Sequence, residues 1–95
     1  MIEQQYIYVI VRKDLPIWDQ MVQVGHACFD AGKHFSRKWK SDTHLILLQV
    51  EDQHELIYCK EQLSDKNIKY TIFYEPDPAQ EISEKPMGYT ALCTE

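Results

Sequence analysis

The sequence predicts an α/β fold, a three-layer α/β/α sandwich on a small mixed four-stranded sheet in the order β-α-β-α-β-β. Three observations carry that expectation. The spacing of apolar residues changes along the chain, from short continuous runs typical of buried strands to recurrences at three and four typical of helices. Two helical segments each separate a pair of such runs, as crossovers do in a largely parallel sheet. The last apolar run follows a proline-rich loop and no helix, so it should run antiparallel to a neighbour. A ferredoxin-like βαββαβ arrangement is the main rival. It needs a further strand before residue 52 that the sequence does not offer.

The elements follow in order. Gln5–Val11 is rich in β-branched and aromatic residues and reads as a strand. "RKDLP" is a turn, with Asp14 able to cap and Pro16 tolerated in a first helical turn. From Trp18 to Phe35 the period becomes helical, and Trp18, Met21, Val22, Gly25, Cys28, Phe29 and Gly32 form one apolar stripe, the expected buried face. "SRKWKSD" is a basic loop and Thr43–Val50 a second buried strand. "DQHE" at 52–55 has capping-box spacing, and Leu56, Cys59 and Leu63 make the inner stripe of a second helix. That helix should end near Asn67, which suits a left-handed cap. "IKYTIFY" is a third strand. Three prolines among Glu75, Asp77, Glu81 and Glu84 mark a loop, and "YTALCT" closes the sheet.

Ninety-five residues, 44% of them hydrophobic, make a single domain spanning 1–95 with enough apolar material for one core. Cys28, Cys59 and Cys93 are odd in number and show no C-x-x-C spacing. A disulfide framework or a structural zinc site is therefore not expected, and the cysteines read as small packed hydrophobes in a reducing cytoplasm. His26, His34, His44 and His54 have no ligand spacing with the cysteines, so no metal and no other cofactor is expected. The six-residue apolar run Tyr6–Val11 is too short for a signal sequence or a membrane span. Net charge is −5 but uneven. Residues 1–40 carry six bases against four acids, and residues 41–95 carry four against eleven. Any polyanion should meet the first part of the chain. Oligomeric state stays open between a single chain and a homodimer.

On a helical wheel His26 falls about 120° from the centre of the apolar stripe. It shares a polar stripe with Asp19, Gln23, Asp30 and Lys33, whose members stand three or four apart. A solvated face with a His26–Asp30 pair is the plain reading. Against it stand Gly25, Ala27 and Ala31, which leave room beside the histidine for another element.

"VIVRKDL" followed by "VQVGHA" resembles the first strand and helix of the type 2 peptidyl-tRNA hydrolases, with their V-R-x-D-L-like strand end and Q-x-A-H-A helix. "FYEPDPAQEI" and "YTALCTE" resemble the family's acidic loop and closing T-A-[LI]-A-x strand. The resemblance runs through essentially the whole chain. It implies a mixed four-stranded sheet between helices, a tRNA or peptidyl-tRNA partner, and metal-free hydrolysis of the ester between peptide and terminal ribose. Gln23 and His26 match the helix residues, Asp77 is the better match to the acidic-loop aspartate with Glu75 close by, and Thr90 matches the closing strand. The family's helix lysine falls on Asp19, and the loop departs from D-A-G-x-T-Q.

Ester hydrolysis needs a base for water and positive or hydrogen-bonding stabilisation of the oxyanion. Under this reading Asp77 orients water and His26 shuttles a proton. Thr90 and Tyr89 donate to the transition state, and Lys13 at the end of the first strand replaces the missing lysine. Arg37, Lys38 and Lys40 surround Trp39, a mixture suited to holding phosphates and stacking a base. The alternative is a non-catalytic descendant of the fold that binds RNA or a protein. The plain reading of the basic loop, whichever function holds, is a solvated turn with Trp39 folded back as a lid on the core.

Overall fold

The computed structural model describes residues 6–35, 43–79 and 85–95. Arg37, Lys38, Trp39 and Lys40 lie outside these residues. The elements are β1 (Tyr6–Arg12), α1 (Ile17–Phe35), β2 (His44–Val50), α2 (Gln53–Asp65), β3 (Tyr70–Glu75) and β4 (Gly88–Thr94). They form one sheet in the order β2-β1-β4-β3. β1 pairs parallel with β2, and β4 runs antiparallel to both β1 and β3. The β-α-β-α-β-β order and the antiparallel last strand are as the sequence predicts.

Strand alternation sends successive side chains to opposite faces, and each face carries one helix. On one side Val9, Val11, Ala91 and Cys93 meet Ala27 and Ala31 of α1. On the other Ile10, Val50 and Leu92 meet Leu56 of α2, flanked by Cys59 and Leu63. The central strands β1 and β4 are therefore buried on both faces, while β2 lies at an edge with Leu45, Leu47 and Leu48 exposed.

α2 forms as its sequence dictates. Asp52 caps it by accepting the Glu55 N–H at 2.9 Å, and the Glu55 carboxylate reaches back to the N–H of Glu51. Asn67, just past its end, adopts a left-handed φ of 58°. The three cysteines are free thiols. Burial pushes the Cys93 thiol up to about 12, and neighbouring Cys28 adds to the shift, which keeps it protonated and inert.

α1 corrects the expectation from its periodicity. The stripe of Trp18, Met21, Val22 and Phe29 is exposed, and the buried residues are Asp19, Gln20, Gln23, Ala27 and Ala31. The physical reason lies in size and in pairing. Alanines let the second half of the helix approach Val9, Val11 and Cys93 closely, and buried polar side chains in the first half are hydrogen-bonded across to the sheet. Gln20 donates to the Leu15 carbonyl at 2.7 Å and accepts from Gln49 of β2 at 2.7 Å. The helix start is thus tied to the turn that follows β1 and to β2 without a large apolar contact.

Candidate functional site

The C-terminal ends of the parallel strands β1 and β3 lie beside the first half of α1, where open α/β sheets collect their sites. Three residues from three elements meet there. The Thr90 hydroxyl of β4 donates to Gln23 Oε1 at 2.7 Å, and Gln23 Nε2 donates to Glu75 Oε1 of β3 at 2.9 Å. A hydroxyl on one side and a carboxylate on the other fix which way the Gln23 amide faces. Gln23 is 1% exposed and Thr90 fully buried, so this chain of bonds forms a sealed platform under the site.

A β-bulge makes the platform. β3 and β4 pair Phe73 with Ala91 and Tyr74 with Tyr89, which leaves Thr90 as the extra residue of β4. Strict alternation would turn Thr90 away from α1. The bulge re-aims it toward Gln23. Tyr74 and Tyr89 meet edge to face, with ring centroids 5.1 Å apart. The N–H of Tyr89 is held by Gln53 Oε1 at 2.7 Å, so the start of α2 anchors the bulged strand. Gly88 is required beside it, because its φ is +80° and a Cβ there would collide with the Gln53 side chain.

His26 stands one turn after Gln23 and is exposed. Its ring stacks on Phe73 of β3 with centroids 4.3 Å apart and planes 6° from parallel. Stacking occupies the face of the imidazole and leaves the in-plane nitrogens at its rim. Asp77, just past β3, is exposed and touches the platform through its N–H, which lies 3.4 Å from Glu75 Oε2. Glu75, and not Asp77, is the acid bonded to Gln23. The signal that could have singled it out is a spacing: D-A-G-x-T-Q puts its glutamine five positions after its acid, as Gln80 stands after Glu75.

The cations at the end of β1 are both engaged. Arg12 forms a two-pronged pair with Asp14 at 2.9 and 2.7 Å and donates to the carbonyls of Met87 and Tyr89. It locks the end of β1 to the start of β4. Lys13 pairs with Glu51 at 2.9 Å, and that hydrogen bond, followed by the charge of Glu51, raises its pKa above the ordinary lysine value. Asp19, at the position of the family lysine, is buried. Among the described residues no cluster of three or more His, Cys, Asp or Glu side chains could hold a metal ion. No described helix is long and apolar enough to cross a membrane.

The fold and its amide–acid–hydroxyl platform define a small α/β protein whose polar cluster sits at the carboxyl ends of parallel strands. The family model for peptidyl-tRNA hydrolase PTH2 matches residues 5–94, and the chain belongs to that family. No curated protein matches the chain.

Proposed function

We propose that this chain hydrolyses the ester joining a peptidyl or aminoacyl group to tRNA, without a metal. Family membership supplies the substrate class. The observation that carries the reading is the unbroken chain from Thr90 through Gln23 to Glu75 beneath an open imidazole. Burial divides the roles. Gln23 and Thr90 are sealed from solvent, so they act as positioning residues that hold Glu75 and the end of β3. His26 and Asp77 are exposed and take the proton-handling roles. His26 accepts a proton from the attacking water and returns it to the ribose oxygen as the acyl–oxygen bond breaks, while Asp77 orients that water. Lys13 supplies the cation for the oxyanion by leaving Glu51. Arg37, Lys38 and Lys40 hold tRNA phosphates and Trp39 stacks on a base. The cytoplasm, where tRNA is used, is the compartment this activity requires.

A second reading, a non-catalytic RNA- or protein-binding module, is favoured by one pair of observations. An acid is buried where the family has its lysine, and Lys13 is already paired.

The deciding experiment is release of labelled peptide from peptidyl-tRNA by purified protein at several concentrations. Release by the wild type that falls about a hundredfold or more in His26→Ala, with tRNA binding retained, supports the hydrolase. A comparable fall in Lys13→Ala assigns the cation. Replacing Arg37, Lys38 and Lys40 by Ala should flatten the salt dependence of tRNA binding by about two to three in logarithmic slope. Wild-type binding without release overturns the hydrolase and leaves the module.

A further inference from the structure

β3 is an edge strand, since the sheet runs in the order β2-β1-β4-β3. Among the described residues no strand pairs with its outer side. From Tyr70 to Tyr74 it carries no charged residue and no proline, the usual guards of a strand edge against pairing. The bulge comes only after Phe73, so the edge is regular up to that residue.

The register shows which backbone groups are free. The N–H of Glu95 bonds to the Lys69 carbonyl at 2.9 Å, and Tyr70, Thr71, Ile72 and Phe73 then face Thr94, Cys93, Leu92 and Ala91. Bonded and non-bonded pairs alternate in an antiparallel ladder, so Thr71 and Phe73 bond to β4. Tyr70 and Ile72 therefore turn both N–H and C=O outward.

We infer, resting on the hydrolase reading, that this edge binds the peptide of peptidyl-tRNA as an added strand running parallel to β3. Direction follows from the chemistry. The ester stands at the carboxyl end of the peptide and must lie beside His26. His26 stacks on Phe73, the last residue of the regular edge. Only a peptide running the same way as β3 brings its carboxyl end there. Paired strands lie about 4.8 Å apart, which sets the ester next to the imidazole. The Ile72 N–H then donates to one peptide carbonyl, and the Ile72 carbonyl accepts the peptide N–H two residues further on. The other edge is no equivalent. β2 ends at Val50, next to the Lys13–Glu51 pair and on the opposite margin of the sheet from Glu75. Backbone pairing also suits the substrate, because the peptide on a tRNA can have any sequence and all sequences share a main chain. From Tyr70 to Phe73 the edge engages about four peptide residues, and every second one bonds to it.

The test measures release from acetylated oligoalanyl-tRNAs of one to six residues by wild-type protein, relative to spontaneous hydrolysis. In a second series N-methylalanine replaces each residue of the four-residue peptide in turn. Each backbone hydrogen bond contributes about threefold to tenfold, so kcat/KM should rise about tenfold or more from one residue to four and then level. N-methylation should lower kcat/KM by about threefold to tenfold at alternate positions only, because a strand presents every second N–H to its neighbour. Ile72→Pro removes an outward N–H while keeping the bonds to β4, and should lose most of the gain from length. The N-methyl series leaves the protein unaltered and decides the matter even if Ile72→Pro folds poorly. A rate that ignores peptide length overturns the inference, keeps the hydrolase and leaves the edge to a strand of another chain. A gain from length without the alternation, or one that a folded Ile72→Pro keeps in full, overturns it too, since side chains then hold the peptide. No release from any of these substrates overturns the hydrolase and the added strand together.

Discussion

The two helices of this protein solve the same problem in opposite ways. α2 follows the ordinary rule: its apolar stripe points inward, and Leu56 is fully buried against Ile10, Val50 and Leu92. α1 faces its sheet with amides, an acid and alanines, and presents its large hydrophobes to solvent. A helix's strongest apolar stripe therefore does not by itself identify the face that packs on its own sheet. Closeness decides the inner face of α1. Ala27 and Ala31 bring the backbone near the strands, and from that distance Gln23 can span to Glu75 and Thr90. A helix set further out on leucines could not place those polar atoms within bonding range.

The largest effect expected from this contrast is in the two cores. Leu56→Ala should cost about 3 kcal/mol, through lost transfer energy and the cavity left under α2. The counterpart in α1 is opposite in sense. Ala27→Leu adds volume where the helix needs none, and should cost about 1–3 kcal/mol by forcing α1 off the sheet. Urea unfolding of both variants measures this. An Ala27→Leu protein as stable as wild type would show that the close approach of α1 is not what its alanines provide.

Next in size is the buried amide. Gln23→Leu keeps the volume of the side chain but leaves the Thr90 hydroxyl and the Glu75 carboxylate without their shared partner, at a cost of about 2–3 kcal/mol. Because the three act as one chain of bonds, adding Thr90→Val to Gln23→Leu should cost much less than Thr90→Val alone. Additive losses in that double-mutant cycle would sink the view of the platform as a unit. The same variant sharpens the functional reading. A positioning role predicts that Gln23→Leu lowers kcat more than it changes KM for peptidyl-tRNA, and leaves tRNA binding intact.

What could be read from the sequence divides along the same line. Strands, helix limits, the Asp52 cap and the Asn67 turn depend on local chemistry, and local chemistry is written in consecutive residues. The mixed sheet and its antiparallel last strand followed from where the helices fell between strands, whereas the spatial order of the strands did not. Gln23, His26 and Thr90 were legible as candidates because a family pattern names them. Two things were not legible. The direction of α1 depends on distance to the sheet, which apolar periodicity does not encode. The re-aiming of Thr90 depends on a bulge, and a single extra residue in a strand leaves no mark in composition or spacing. Glu75 fell between these cases. Its neighbour Asp77 is an acid of the matching type, and only the pairing of β3 shows which carboxylate points at Gln23.

The smallest effect expected is on the outer face of α1. Met21 is 66% exposed, and truncating so wet a side chain removes few contacts within one chain. Met21→Ala should thus change the stability of the single chain by no more than about 0.5 kcal/mol, since alanine also favours the helix slightly. The contrast with Leu56→Ala is then a matter of face and not of residue size, as methionine and leucine have similar volumes. Urea unfolding of the two variants side by side measures that contrast. A loss in Met21→Ala close to that in Leu56→Ala would mean that the outer stripe of α1 packs against its own chain after all.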